Sequence, residues 1–416
     1  MKIDPTFVSQ VFHPDRQATS VLLSQLASQL AERGFHPVVY TGHPAADSGA
    51  KTPASELWQG VNIRRGGLRI DGKKNLAARG LAYLAYSAWL KWTLLLRTPA
   101  KSHLIVLTNP PFAPVLVWLC GWWRGWTYDV FLHDLYPDGL VALGQMSPRS
   151  PATRLWTAAN RRAFSRARRI LVIGRDMAEL CRDRYGVEPG KISVVPSWSP
   201  VDFPTRPATE ETRLWRHLGF HRQFVVQYSG NMGLWHDLRS TVEAAEILRE
   251  EPGVHFLMIG DGRRRADAEQ LAGRLNLQNI TWLPFQPPTE LTDSLACCHA
   301  AIVSQRAGLE GVMVPSKLYG ILANGRAVLA QVPASSETAR VVRERECGLV
   351  IPPSDAAALV AAIRRMRDNP AATGRMGRQA AEAGATQYTL AAATERFESD
   401  ILVKPGSGGN QPRGAP

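Results

Sequence analysis

Gly-Leu-Glu-Gly-Val-Met-Val-Pro-Ser-Lys-Leu-Tyr-Gly-Ile-Leu-Ala-Asn-Gly-Arg-Ala-Val-Leu-Ala, residues 308–330, is the stretch from which the fold is read. A loop flanked by Gly308 and Gly311 runs through Val-Pro-Ser-Lys into an apolar helix at 318–323. Asn324-Gly325 closes that helix, and an uninterrupted apolar strand follows at 327–330. A loop that feeds a helix N-terminus presents unpaired backbone N–H groups and the positive end of the helix dipole, a ready site for phosphate. Lys317, in the first turn, adds a point charge of the right sign.

Outward from this unit the same alternation recurs. Upstream in the second half, strands are expected at 224–229, 255–259, 280–283 and 300–303, with another at 348–351. Helical periods at 240–248, 266–275 and 356–367 fall beside them. In the first half, strands are expected at 7–12, 37–41, 103–108, 128–133, 169–173 and 192–195. A helix at 19–33 carries Leu22, Leu23, Leu26 and Leu30 at helical spacing. Strands separated by helices imply parallel, doubly wound sheets. The turn-rich text of 196–212 suits a hinge. The expected organisation is an N-terminal α/β domain at 1–200, a second at 201–385, a closing helix at 386–404 and a disordered tail at 405–416.

Composition narrows the class. The chain has 416 residues, 45% of them hydrophobic, as in a folded globular protein. Its five cysteines show no CxxC and no paired spacing, so neither a disulfide framework nor a zinc site is expected. The start lacks the apolar core of a secretory signal. The net charge of +13 is concentrated: residues 1–200 hold 25 Lys and Arg against 13 Asp and Glu, whereas the rest holds 24 against 23. The N-terminal half therefore meets whatever anionic surface the protein binds. No nucleic-acid-binding signature accompanies that charge, but two apolar-aromatic tracts do, at 81–96 and 115–123. The first is interrupted by Lys91 and the second is too short to span a bilayer. Tryptophans beside Lys73, Lys74, Arg79 and Arg124 suit an attachment that lies on an anionic leaflet.

Five motifs in register then resemble the nucleotide-sugar domain of the family-4 retaining glycosyltransferases. They are Tyr-Ser-Gly-Asn-Met-Gly (228–233), Met-Ile-Gly-Asp-Gly (258–262), Leu-Pro-Phe-Gln-Pro (283–287), Val-Pro-Ser-Lys-Leu-Tyr-Gly-Ile-Leu-Ala-Asn-Gly-Arg (314–326) and Glu-Cys-Gly-Leu-Val-Ile-Pro-Pro (346–353). Phe-His-Pro-Asp-Arg-Gln-Ala-Thr-Ser (12–20), Leu-Thr-Asn-Pro-Pro-Phe (107–112), His-Asp-Leu-Tyr-Pro-Asp (133–138) and Val-Pro-Ser-Trp (195–198) extend the resemblance into the first half, toward members that build bacterial surface polysaccharide.

The resemblance implies the GT-B architecture: α/β, two Rossmann-like doubly wound domains facing across a cleft. It implies a nucleotide diphosphate sugar as donor and a lipid-linked saccharide as acceptor. The place of work would be the cytoplasmic face of the cell membrane, with no cofactor and no metal. Reaction-centre residues would be His133, Asp134 and Asp15. The donor would meet Arg16, Gly230, Asn231, Gly260, Gly262, Glu310, Gly311, Pro315, Ser316 and Lys317. Asp138 is read as a capping residue, and the run Arg263, Arg264, Arg265 as solvated. Two departures stand out. Where relatives carry Arg and Lys this chain has Asn231 and His236, and where they carry two glutamates eight residues apart it has Val312 and Gly320. Glu310 is two residues early for the first of these, and the second, which holds ribose in the family, has no substitute. The alternatives are a non-catalytic scaffold of the same fold and a sugar-nucleotide epimerase or hydrolase.

Overall fold

The central strands of this chain are apolar runs buried on both faces, such as 103–107, 300–304 and 327–331, as in parallel sheets covered by helices. The computed structural model describes residues 3–44, 52–69, 76–99, 102–201, 203, 205–251 and 253–402. The expected tail and Lys73 and Lys74 lie outside the described residues, as does the side chain of Arg79.

The first sheet holds β1 (Thr6–Val8), β2 (Val38–Gly42), β3 (Ser55–Trp58), β4 (Val61–Gly66), β5 (His103–Leu107), β6 (Thr127–Leu132), β7 (Ile170–Val172) and β8 (Ile192–Val194). Their order is β3-β4-β2-β1-β5-β6-β7-β8. The second holds β9 (Phe224–Ser229), β10 (Val254–Ile259), β11 (Ile280–Leu283), β12 (Ala300–Ser304), β13 (Ala327–Gln331) and β14 (Gly348–Ile351), in the order β11-β10-β9-β12-β13-β14. All pairings in the second sheet are parallel. In both sheets the strand order reverses beside the first strand, between β1 and β5 and between β9 and β12. Doubly wound sheets bind ligands at the carboxyl ends of the strands flanking that reversal.

The hairpin β3–β4 is antiparallel and was not foreseen. It turns on Gln59 and Gly60, both at positive φ. The strand expected at 7–12 ends at Val8, because Gln10 turns aside to bond Asn109 and Gly42. A helix at Pro370–Thr386, also unforeseen, packs on the helix Lys317–Asn324.

Among the helices packed on the first sheet are α1 (Ala18–Glu32), α2 (Leu76–Arg97) and α3 (Ala113–Arg124). By its contacts the chain divides into two compact units, one of residues 1–131, 166–171 and 394–416, the other of residues 132–165 and 172–393. The closing helix, Leu390–Phe397, ends in the first unit. Its Phe397 stacks on Phe7 and lies beside Phe131, with ring centroids 5.9 and 6.1 Å apart. Arg168 donates to the Ile401 carbonyl at 2.6 Å and pairs with the fully buried Asp129 at 2.7 Å, and His103 Nε2 meets the same carboxylate at 2.7 Å. The core of the second unit is built from Val226, Tyr228, Phe256, Ile302 and Leu329, closed by Leu359 and Ile363. All five cysteines are free and buried.

Candidate active site

The carboxyl end of β9 runs into Gly230, and that of β10 into Gly260. These two turns touch: a β-carbon at Gly260 would lie 2.0 Å from the Gly230 carbonyl oxygen, and Gly260 has φ +132. Only glycine permits that approach. The turns are bonded to one another through Met232 N–H and the Asp261 carbonyl at 2.8 Å.

Lys317 opens the helix Lys317–Asn324, and its side chain reaches back to this turn. Its Nζ lies 3.6 Å from the centroid of the Tyr228 ring and 4.0 Å from where a β-carbon on Gly230 would sit. The stem is half-exposed, but the ammonium itself is sealed and has no hydrogen-bond partner. Burial pushes its pKa well below the ordinary lysine value. A sealed cation with only an aromatic face for company is costly unless an anion joins it. His236 lies beside the same ring and is held down to about 3, first by burial and then by Lys317. Its Nδ1 donates to the Ser304 carbonyl at 2.6 Å, and burial keeps the ring neutral, so it supports the turn rather than carrying charge.

The loop after β12 is stapled from inside. Gln305 Nε2 donates to the carbonyls of Leu309 and Met313, at 2.8 and 3.0 Å. The buried Asp176 accepts from Gly311 N–H at 3.0 Å and from Glu337 N–H at 2.9 Å. Gly311, at φ +73, would drive a β-carbon to 2.7 Å from the Asp176 carbonyl. Neither Gln305 nor Asp176 was anticipated: Asp176 reaches Gly311 from 135 residues away, and Gln305 is an unremarkable amide until the loop folds around it. Within the loop, Glu310 is half-buried, and its Oε2 is sealed with no hydrogen-bond partner.

His133 and Asp134, immediately after β6, belong to the same compact unit as this loop. Asp134 forms an antiparallel bridge with Met313, and Leu135 N–H donates to the Val312 carbonyl at 2.9 Å. Burial holds His133 down to about 4 and pushes Asp134 up to about 6. Asp134 is thus a carboxylate whose proton affinity lies close to neutrality, as suits a general base. Asp138 is spoken for: Arg184 pairs with it at 2.6 Å and the Tyr185 hydroxyl donates to it.

Residues 18–198 match the family described as "Glycosyl transferase 4-like domain", and residues 211–383 match "Glycosyl transferases group 1". The chain belongs to these glycosyltransferases. It is 27% identical over 296 residues to a protein named a glycosyltransferase, WbjE of Pseudomonas aeruginosa, covering 70% of this chain and 73% of WbjE. It is also 27% identical over 240 residues to WcaI of Escherichia coli (strain K12), described as a colanic acid biosynthesis glycosyl transferase, covering 56% and 58% of the two chains. Among solved structures, Anabaena HepE in complex with UDP-glucose superposes with a TM-score of 0.70 at 15% identity, over 96% of this chain and 99% of HepE. The glycosyltransferase therefore has the GT-B fold, two Rossmann-like α/β sheets.

Of the residues singled out in the sequence, the structure gathers His133, Asp134, Gly230, Asn231, Gly260, Gly262, Glu310, Gly311, Pro315, Ser316 and Lys317 into one compact unit. Asp15 and Arg16 belong to the other, in the turn after β1, where Asp15 is half-buried and Arg16 exposed. Asn231 is exposed, and its carbonyl accepts from the Tyr228 hydroxyl at 2.8 Å. The arginine run is corrected in part. Arg263 is exposed as expected, but Arg265 is half-buried, donates to the carbonyls of Gly260 and Leu283, and pairs with Glu269. It holds the glycine turn in place. Val312, 3% exposed, packs with Trp235 against Gly139 and offers no acceptor. Gly320 is half-buried, and a β-carbon there would make an ordinary contact with Leu295 Cδ1 at 3.8 Å.

Proposed function

We propose that this glycosyltransferase moves a sugar from a nucleotide diphosphate donor to a hydroxyl of a lipid-linked saccharide, with retention at the anomeric carbon, in the assembly of a surface polysaccharide. One observation carries the donor assignment: the sealed, unbonded Lys317 ammonium at the glycine turn that ends β9. A donor diphosphate placed there would receive that charge, the N–H groups of the helix Lys317–Asn324 and the close approach that Gly230 and Gly260 allow. These groups supply the positive charge that a departing diphosphate needs, so a metal-independent reaction is the expectation. HepE, solved with UDP-glucose, supports the donor class, and the name of WcaI supports the polysaccharide pathway.

In the transfer, the bond from the anomeric carbon to the diphosphate oxygen breaks and a bond to the acceptor oxygen forms on the same face. Asp134, its carboxyl raised to about 6, would take the acceptor's proton, and His133, kept neutral, would donate or accept a hydrogen bond beside it. Glu310 is the carboxylate available near the position that Val312 vacates. A lipid-linked acceptor places the enzyme at the inner face of the cell membrane.

The decisive experiment offers labelled UDP-, GDP- and dTDP-sugars to the enzyme with membranes from a polysaccharide producer, following label into the lipid fraction. Incorporation from one donor, unchanged by a chelator, is the expected outcome. No incorporation from any donor would sink the assignment.

A further inference from the structure

Seven of the twelve large hydrophobic side chains that stand exposed among the described residues lie on two adjacent helices of the first unit. On α2 they are Leu81, Leu84, Trp92 and Leu96, which follow a helical stripe with Ala88 and Lys91 between them. On α3 they are Leu119, Trp122 and Trp123, the two tryptophans 88% and 82% exposed. The opposite face of α2 does the packing: Tyr86, Leu90 and Leu94 are buried, and the Tyr86 hydroxyl donates to the Tyr40 carbonyl at 2.9 Å. The outer stripe therefore contributes nothing to the core. Contiguous exposed apolar surface on this scale marks an interaction site.

The charge around the stripe identifies the partner. Residues 72–128 contain seven Lys and Arg, six tryptophans and not one Asp or Glu. Lys91, Arg97 and Arg124 are exposed on the same two helices. A protein partner would be met by mixed charges; cations and tryptophans without acids match a bilayer interface with anionic headgroups. No helix among the described residues is long and apolar enough to cross a membrane. The remaining geometry is a helix lying in the interface, with α2 alone presenting about 33 Å of length.

We propose that α2 and α3 form an in-plane docking face for an anionic lipid bilayer, with Trp92, Trp122 and Trp123 entering the headgroup region. The face continues into the ligand-binding edge of its sheet. Tyr83 on α2 meets Phe112 edge-on, with centroids 6.3 Å apart, and Phe112 ends the turn that follows β5. Docking thus brings the turn at the carboxyl end of β5 to the depth where a lipid carrier presents its headgroup. The placement of the acceptor rests on the transferase reading above, whereas the docking itself does not and is measured without any sugar.

The full chain is sedimented with vesicles of phosphatidylcholine, and with vesicles containing about 30% phosphatidylglycerol to supply surface charge. Depth is read independently on the wild type by quenching of tryptophan fluorescence with lipids brominated along the acyl chain, which needs no variant. Binding to the anionic vesicles that weakens with salt, together with quenching, is the expected result. The double replacement Trp122→Ser/Trp123→Ser should lower partitioning roughly tenfold or more. Lys91→Glu/Arg97→Glu should lower it and flatten the salt dependence, both with unchanged circular dichroism. Absence of binding to anionic vesicles, binding indifferent to both double variants, or a solution dimer that Trp122→Ser/Trp123→Ser converts to monomer would overturn the proposal, the last by giving the face to a second copy. Loss of sugar transfer with vesicle binding intact would count against the transferase reading alone.

Discussion

Asp129 and Asp134 lie five residues apart, one fully buried within β6 and one half-buried just beyond its carboxyl end. Asp129 is saturated: His103, Arg168 and the Arg169 N–H all bond it. Burial by itself would raise its pKa, but those hydrogen bonds outweigh burial and hold the carboxyl below the ordinary range. At Asp134 burial wins, and the carboxyl rises to about 6. The same contrast separates whole regions. Charges that fasten the closing helix to the first unit, or Arg175 to Glu337 in the second, are met by opposite charges. At the candidate site, Lys317 is sealed against an aromatic ring, and one Glu310 oxygen has no protein partner. The fold satisfies its own charges where it needs strength and leaves them strained where a ligand is to complete them.

The largest effect should come from breaking the satisfied side. Asp129→Asn removes the carboxylate that neutralises Arg168, and a broken buried pair costs about 3–5 kcal/mol. Denaturant unfolding should show that loss. Its pH dependence has a definite sign. A carboxyl held below its unfolded value stabilises the fold above about pH 4, and the contribution disappears as pH falls through the lowered folded pKa. In the variant this acid-dependent part of the stability curve should be absent. A variant as stable as wild type at neutral pH would erase the contrast on its strong side.

Lys317→Met tests the strained side and should move stability and activity in opposite directions. Without the ammonium, kcat/KM for the donor should fall roughly 100- to 1,000-fold, the loss typical of a missing charge on a developing anion. The apo-protein should nonetheless melt higher, since a sealed cation without a hydrogen-bond partner is replaced by an apolar chain of similar length. For wild type, the folded pKa lies below the unfolded value of about 10.4, so the unfolded chain binds more protons between the two. Stability therefore rises with pH across that window. Unchanged donor affinity by calorimetry would return Lys317 to a purely structural role.

Asp134→Asn should be smaller. A general base contributes about 100-fold or more, seen in kcat with little change in donor affinity. With the carboxyl at about 6, wild-type activity should fall as pH drops below that value, and the variant should lack this limb. Stability again has the opposite sign to Asp129. A carboxyl raised above its unfolded value of about 3.9 makes the fold less stable as pH climbs from about 4 to about 6. An activity profile without a limb near 6 would remove Asp134 from the reaction.

Much of this frame was legible before any coordinates. Apolar runs marked 12 of the 14 strands among the described residues, because a central parallel strand has to be hydrophobic on both faces. The glycine turns and Lys317 were visible because backbone approach and a helix start leave short-range marks. The hairpin Ser55–Trp58/Val61–Gly66 escaped because Gln59 at φ +45 is an unusual turn residue where Asn or Asp would be the signal. Asp176 and Gln305 escaped for a different reason. One bonds Gly311 from 135 residues away, and the other is an ordinary buried amide until its loop folds around it. Long-range hydrogen bonds have no period for a sequence to display.

The smallest effect concerns Gly320, where the family resemblance implies a glutamate on the ribose. Its absence could reflect a lack of space or a lack of need, and the structure separates these. A β-carbon there meets only Leu295 Cδ1 at 3.8 Å, an ordinary contact, so the position has room. Helix Lys317–Asn324 should gain by the change, since Gly costs roughly 1 kcal/mol relative to Ala in a helix interior and Glu is a good helix former. Gly320→Glu should therefore fold as well as wild type or slightly better. If the donor's ribose lies within reach, one added carboxylate hydrogen bond should tighten nucleotide binding about three- to tenfold. That gain should appear for the nucleoside diphosphate and be lost for a 2′,3′-dideoxy analogue. A tighter complex that ignores the missing hydroxyls would show that the added charge acts elsewhere. An unchanged affinity with both ligands would mean that the ribose is held away from this helix, so that the Lys317 turn, the diphosphate half of the site, does the recognising by itself.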